Sequence, residues 1–306
     1  MSWFSELDQW TKDYLGDMPL LRDEPLSRHS SFRIGGAAKR FALPTDSQQL
    51  ILLENFARKC GARPLLIGNG TNILFPDEGL DRLVISTREM AEVREGANER
   101  EITADAGASL AKAALFACQR GLAGLAFAHG IPGSVGGAVC MNAGAYGGEM
   151  RQVVKSVTLL FPEEGIRTLT GEEMQFGYRR SLLNDHPDAV VLSATFALTK
   201  GSTDDIRAEM DALMEKRRAS QPLELPSAGS TFKRPAGHFA GTLIEQTGCK
   251  GLQVGGAQVS VKHAGFVVNV GNATAKDVKD LIALVQKRVF DATGVTLEPE
   301  VKIIGG

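Results

Sequence analysis

Gly68-Asn69-Gly70-Thr71-Asn72 and Gly130-Ile131-Pro132-Gly133-Ser134-Val135-Gly136-Gly137-Ala138 each set glycines beside hydroxyl or amide side chains. Glycine tolerates positive φ and carries no Cβ, so successive backbone N–H groups can turn inward and approach an anion closely. A pyrophosphate is the kind of group such a cradle holds. Taken singly, either loop also reads as a set of turns. Several familiar motifs are absent. No GxxxxGK(S/T) occurs, and GxGxxG fails because Ile73 follows Thr71-Asn72. Neither Ser134 nor Ser230 lies in a GxSxG elbow, since Pro132 and Ala228 stand two residues before them. A P-loop enzyme, a GxGxxG dehydrogenase and a serine hydrolase are all disfavoured.

Metal chemistry has little to work with. Cys60, Cys118, Cys140 and Cys249 form no CxxC, and His29, His129, His186, His238 and His263 form no HxxxH or HExxH. No metal site is expected, and each cysteine reads as a small buried apolar residue in a reducing setting.

Composition narrows the class. The 306 residues carry 34 basic and 36 acidic side chains, a net charge of −2. Without a basic surplus, nucleic acid is not an expected partner. Hydrophobic content of 43% with 23% charged residues excludes a disordered chain. No run of about 18 apolar residues occurs, so no membrane insertion is expected. The opening Met1-Ser2-Trp3-Phe4-Ser5-Glu6 lacks a basic segment followed by an apolar one, so a cytoplasmic location is expected. Length alone predicts two or three domains.

The elements that must position the loops follow from pattern. Residues 1–28 read as a helix and a connector. Thr45-Asp46-Ser47 supplies N-caps for a helix whose stripe holds Leu50, Ile51, Leu52, Leu53 and Phe56 and which ends at Cys60-Gly61. Strands Arg63–Ile67 and Leu83–Ile85 flank the first glycine loop, giving a β-α-β opening. Glu101–Ala106 reads as a strand, and Ser109 caps the helix after it. Val153–Leu160 and Gly165–Leu169 read as a hairpin, and Ala189–Leu198 as a further strand. Asp204–Ala219 is a charged helix that stops before Gln221-Pro222. Beyond it come a Ser/Gly loop (Ser227–Thr231), a helix (Phe239–Thr247) and a strand (Gly265–Val270). A long helix opens at Thr274, buries Val278, Leu281, Ile282, Val285 and Val289, and stops at Gly294. Leu297–Ile304 reads as a strand interrupted by Pro299.

Several ordered motifs carry a resemblance. Ser31-Phe32-Arg33-Ile34-Gly35-Gly36, both glycine loops and Asn142-Ala143-Gly144-Ala145-Tyr146-Gly147 resemble the UDP-N-acetylenolpyruvoylglucosamine reductase (UDP-N-acetylmuramate dehydrogenase) family. So do Phe176-Gly177-Tyr178-Arg179, Ser227-Ala228-Gly229-Ser230-Thr231-Phe232-Lys233, Lys250-Gly251, Gly255-Gly256-Ala257 and Leu297-Glu298-Pro299-Glu300-Val301. Only 51 positions separate Arg179 from Ser230, so the chain resembles the short form without the extra tyrosine loop. His29 stands where Asn is usual, and Thr71, which keeps a hydroxyl, where Ser is usual.

The resemblance implies an α+β fold. A PCMH-type FAD-binding two-domain unit with mixed sheets precedes a C-terminal α/β substrate-binding domain. Residues 1–88, joined by a final strand over 296–306, form the first domain, 89–200 the second and 201–295 the third. It implies non-covalent FAD, NADPH as reductant and UDP-N-acetylglucosamine-enolpyruvate as the small-molecule substrate, reduced to UDP-N-acetylmuramate for peptidoglycan. Arg33, Ile34, Gly68, Asn69, Gly70, Thr71, Asn72, Gly130, Ile131, Pro132, Gly133, Ser134, Gly136, Gly137 and Ala138 are then cofactor-binding. Tyr146, Tyr178, Arg218, Arg234 and Lys250 are substrate-binding, with Arg218 and Arg234 matched by offset from Ser230.

The implied substrate is an enol ether bearing a carboxylate. Its electron-rich double bond resists hydride, so the carboxylate must take up charge as an enolate forms. Arg179 suits that task, because a guanidinium grips a carboxylate in two places and stays charged. By resemblance Glu300 is its partner and Ser230 the proton donor to the neighbouring carbon. Two other readings stay open. One is a PCMH-type FAD oxidase or dehydrogenase acting on a different sugar or hydroxy acid, which has no need of Ser230 plus Glu300. The other is a non-catalytic nucleotide-binding module.

Overall fold

Helices begin where a capping side chain meets an apolar stripe in this computed structural model, which describes residues 3–305. After α1 (Trp3–Tyr14), Asp46 opens α2 (Ser47–Lys59) by accepting the Gln49 N–H at 2.8 Å. Ser109 opens α3 (Leu110–Gln119) through the Lys112 N–H at 3.1 Å, and Ser134 opens the short α4 (Val135–Cys140). α5 (Thr203–Ser220) and α6 (Ala240–Gln246) follow. Thr274 and Asp277 make a reciprocal capping box on α7 (Ala275–Thr293), which ends at Gly294 with φ 70°. Val278, Leu281, Ile282, Val285 and Val289 of α7 are all buried, each contributing about 1.5–3 kcal/mol relative to exposure.

The fold is α+β, and the chain forms two compact units. The first holds Met1–Arg22, Arg40–Asn69 and Arg82–Lys216; the second holds Asp23–Lys39, Gly70–Asp81 and Arg217–Gly306. One four-stranded sheet is ordered Leu20–Pro25, Ala37–Ala42, Leu80–Ser86, Leu65–Ile67. The last two of these strands pair in parallel, with Leu65 opposite Val84, and no helix lies between them in the chain; the strands on either side of α2 are not sheet neighbours.

Within the first unit, Leu7, Leu50, Leu53, Leu83 and Ile85 gather under α1 and α2 as one core. A second core lies on an antiparallel sheet ordered Gly165–Thr170, Val154–Phe161, Val190–Ala197, Glu101–Asp105, Val93–Glu95. Its register sets Leu169, Val157, Ala194, Ala104 and Val93 in one row across all five strands. Every member of that row is buried, so a one-residue slip of any strand would put polar neighbours into the core.

The second unit is built on an antiparallel sheet ordered Ser227–Ser230, Phe266–Asn269, Ala257–Val259, Gln253–Val254. Helices α6 and α7 complete its core, which also takes in Phe32, Ile34, Leu74 and Leu297. Lys302–Ile303 pairs in parallel with Ile73–Leu74. Asp77 accepts hydrogen bonds from Ala275 N–H at 2.7 Å and Lys276 N–H at 3.1 Å, tying the 70–81 segment to the start of α7.

Three expectations change. Ser227–Thr231 is not a loop: Ser227–Ser230 is a strand, with a bulge where Gly229 takes φ 74°. The connector in 1–28 contains strand Leu20–Pro25, masked in sequence by Arg22-Asp23-Glu24 at its centre. The last strand shrinks to Lys302–Ile303, because Pro299 has no N–H to give and makes only an isolated pairing with Phe232. Cys118 and Cys249 are buried and Cys60 and Cys140 half-buried, and none of the four forms a disulfide. Among the described residues, no helix is long and apolar enough to cross a membrane and no group of His, Cys, Asp and Glu could hold a metal ion.

Candidate functional site

In the first unit the two glycine loops meet. A Cβ on Gly68 would fall on the Ser134 hydroxyl, and Ser134 itself is buried at the start of α4. The Ser86 hydroxyl donates to the Gly68 carbonyl at 3.4 Å and fixes the end of its strand. Ser134 Oγ accepts the Gly137 N–H at 3.3 Å. Not every amide of the second loop points into a cradle. Ile131 N–H donates to Ala128 O at 3.0 Å and Gly136 N–H to Ala106 O at 2.8 Å. Gly136 therefore serves close packing, since a Cβ there would press on Ala106 at 3.0 Å.

Two strained turns lie in the same unit. Gly177 and Arg180 exchange backbone hydrogen bonds at 3.0 and 3.3 Å, which leaves Tyr178 and Arg179 at the tip. Arg179 takes φ 54° at the third turn position, where glycine or asparagine is the usual residue. Its guanidinium carbon sits 5.3 Å from the centre of the Tyr178 ring. The neighbouring Arg180 pairs with Asp185 at 2.7 Å. The hairpin Gly144–Glu149 turns on Tyr146 and Gly147 with φ 54° and 89°, the double left-handed pattern of a type I′ turn. Both tyrosines are exposed. A non-glycine residue in this region is uncommon and held only by its surroundings, and such positions concentrate at functional sites.

In the second unit, Thr231 joins two predicted catalytic positions. Its carbonyl accepts the Glu300 N–H at 2.8 Å, its N–H donates to Gly265 O at 2.8 Å, and its hydroxyl accepts the Val267 N–H at 2.9 Å. Ser230, the preceding residue, is exposed at the strand end, while Glu300 is half-buried. The Asn72 amide donates to Glu300 O at 3.1 Å, so the cofactor-type loop 70–72 is pinned to the Glu300 segment. Gly70 takes φ 63°, and a Cβ there would fall on the His29 carbonyl. His29, unexplained in sequence, sets its ring 3.0 Å from Glu24. Arg33 is exposed with φ 56°, whereas the Ile34 side chain is in the core.

The remaining predicted contacts of this unit have partners of their own. Lys250 pairs with Glu245 at 2.8 Å, as a cation beyond a helix end should. Arg234 stacks 4.6 Å from the centre of the exposed Phe239 ring. Arg218, at the end of α5, has its carbonyl capped by the Lys262 ammonium at 2.7 Å. His263 is held below the ordinary histidine range by burial, with the Lys250 charge acting the same way. Its Nδ1 accepts the Gly265 N–H at 3.1 Å, which places the ring proton on Nε2.

The residues present fit the flavin dinucleotide that the resemblance implies. At Gly68 and Gly70 a Cβ would meet the Ser134 hydroxyl and the His29 carbonyl, so both glycines let the chain pack closely around the loop. His129, immediately before Gly130, has a buried Nδ1 with no hydrogen-bond partner among the described residues. The sequence reading passed over His129 because no spacing marks it. Asn142, also passed over as a site residue, is buried inside its motif with φ 43°. Asn142 bonds Glu149 and Arg151 nearby in sequence and Gly177 35 residues on.

Comparisons with known proteins agree on one family. Residues 38–170 match the FAD binding domain family, and residues 221–304 match the UDP-N-acetylenolpyruvoylglucosamine reductase, C-terminal domain family. The UDP-N-acetylenolpyruvoylglucosamine reductase of Levilactobacillus brevis is 48% identical over 286 residues, covering 94% of this chain and 93% of that protein. The protein of the same name from Caldanaerobacter subterraneus subsp. tengcongensis is 45% identical over 295 residues, covering 96% of each. The crystal structure of UDP-N-acetylenolpyruvylglucosamine reductase from Thermus caldophilus aligns with a TM-score of 0.77 at 32% identity, covering 94% of this chain and 99% of that one.

Proposed function

Because the chain belongs to the UDP-N-acetylenolpyruvoylglucosamine reductase family, we propose that it reduces UDP-N-acetylglucosamine-enolpyruvate to UDP-N-acetylmuramate for peptidoglycan synthesis, using FAD and NADPH. FAD, when bound, would supply the redox chemistry that links NADPH to the enolpyruvyl double bond. The chain's own residues do the rest. Gly68, Asn69, Gly70 and Thr71, with Gly130, Gly133 and Ser134, hold the dinucleotide through backbone N–H groups and short polar side chains.

Arg179 anchors the substrate carboxylate. As negative charge develops there, a fixed guanidinium strengthens its grip without reorganising, and one such donor is typically worth about 3–4 kcal/mol. Ser230 Oγ gives its proton to the carbon next to the one reduced. A serine hydroxyl is a weak acid, so its developing charge needs local stabilisation, and Glu300 supports the enolate as a hydrogen-bonding partner. Tyr146, Tyr178, Arg218, Arg234 and Lys250 contact the nucleotide-sugar. The domain division at residues 88 and 200 belongs to the same reading; the return of Lys302–Ile303 to Ile73–Leu74 supports it.

The observation that carries the chemistry is Thr231, whose carbonyl receives the Glu300 N–H while its own peptide bond continues from Ser230. A flavin oxidase of other specificity has no need of Ser230 plus Glu300. The test is anaerobic stopped-flow absorbance. The holoenzyme is bleached with NADPH and then mixed with UDP-N-acetylglucosamine-enolpyruvate. Return of the yellow colour within seconds is expected; a persistently bleached protein would rule the reading out.

A further inference from the structure

Asn142 is buried, left-handed at φ 43°, and makes three hydrogen bonds with its amide. Oδ1 accepts the Arg151 N–H at 2.9 Å. Nδ2 donates to Glu149 Oε2 at 3.0 Å and to the Gly177 carbonyl at 3.0 Å. Glu149 closes the hairpin that carries Tyr146, and Gly177 is the base of the turn that carries Tyr178 and Arg179. One amide therefore fastens two exposed, strained tips to each other from beneath. Glu149 is itself steadied by Arg151 at 2.6 Å.

We propose that Asn142 is a positioning residue for Arg179: it sets the turn against the Tyr146 hairpin, so that the guanidinium meets the substrate carboxylate in a fixed orientation. This rests on the reading of Arg179 as the carboxylate anchor. Asparagine suits the post for two reasons. It tolerates positive φ better than most residues, and it offers two donors and an acceptor on one plane. Aspartate has the same shape but presents oxygen to both Glu149 and the Gly177 carbonyl, so both contacts turn repulsive.

The experiment is a double-mutant cycle on FAD-loaded enzyme, reading kcat/KM for the enolpyruvyl nucleotide. Asn142→Asp should lower it by roughly 30- to 100-fold, the scale expected when a binding group is misplaced by about 1 Å. In an Arg179→Ala background the same change should cost less than about threefold, because the group it positions is already gone. An equal loss in both backgrounds would mean that Asn142 acts only through general stability, and would overturn the inference alone. Ordinary turnover by Arg179→Ala would overturn the anchor reading and the inference with it. Asn142→Gly, which keeps the positive φ and loses all three hydrogen bonds, serves the cycle if the aspartate variant does not fold.

Discussion

Gly68 and Ser134 occupy adjoining space so tightly that any side chain on the first would land on the hydroxyl of the second. The two loops they belong to are far apart in sequence and share one wall. Gly68→Ala should therefore purify with far less flavin, or lose it on dilution, while Gly→Ala at the open Gly147 should not. Adding Ser134→Gly to Gly68→Ala should restore part of the flavin, since glycine at that cap costs only a few tenths of a kcal/mol. Absorbance at the flavin band per mole of protein is the measurement. Full flavin content in Gly68→Ala alone would show that the loops yield.

Arg179 holds a left-handed backbone that a glycine would adopt without strain. Arg179→Gly should raise stability by about 1 kcal/mol and lower turnover by about 10²–10³-fold. Arg179→Lys should bind FAD normally and also lose turnover, because an ammonium cannot make the two-point contact. Thermal unfolding together with steady-state rates decides. Unchanged stability in the glycine variant would mean that the turn imposes no strain.

Ser230 lies exposed at the end of its strand, outside the core, so Ser230→Ala should fold and load FAD as the natural chain does. Reduction by NADPH should proceed at nearly the same rate, and reoxidation by the enolpyruvyl nucleotide should slow by about 10²-fold or more. Rapid-mixing traces of each half-reaction separate the two. Equal slowing of both would remove the serine from proton transfer.

Asp8 grips Arg40 with two hydrogen bonds, at 2.6 and 2.8 Å, and Arg22 adds a third at 2.7 Å. Hydrogen bonding from Arg40, aided by both positive charges, holds its carboxyl below the ordinary value of 3.8. A depressed carboxyl stabilises the fold above the unfolded-state value and loses that contribution as pH falls through its folded value. Asp8→Asn should thus cost about 1 kcal/mol at pH 7, because solvent reaches the carboxylate and screens the pair. Urea unfolding of both proteins at pH 7 and pH 3 should show the gap narrowing with acid. A constant gap would assign it to packing.

Much of this architecture is legible in the residues because its signals are local. α7 is announced by Thr274, its apolar stripe and Gly294, all within one helix length. The hairpin Val154–Phe161 with Gly165–Thr170 is announced by its turn. Strand Ser227–Ser230 is not, because small polar residues become a strand only by pairing with Phe266–Asn269. The site divides the same way. Glycine marks Gly68 and Gly70, but nothing marks Arg33, Tyr146 or Arg179 as left-handed, since arginine and tyrosine seldom are. Asn142 is as opaque: its partner Gly177 is 35 residues away.

The second unit draws on Asp23–Lys39 and Gly70–Asp81 as well as on everything after Arg217. Its two early pieces leave the ribosome long before their partners. Ile73–Leu74 waits for Lys302–Ile303, 229 residues later, or on the order of 10–45 s of translation. Nascent chains must carry Leu74 and Phe32 unsheltered for that interval, so a chain that stops early leaves this half without its core.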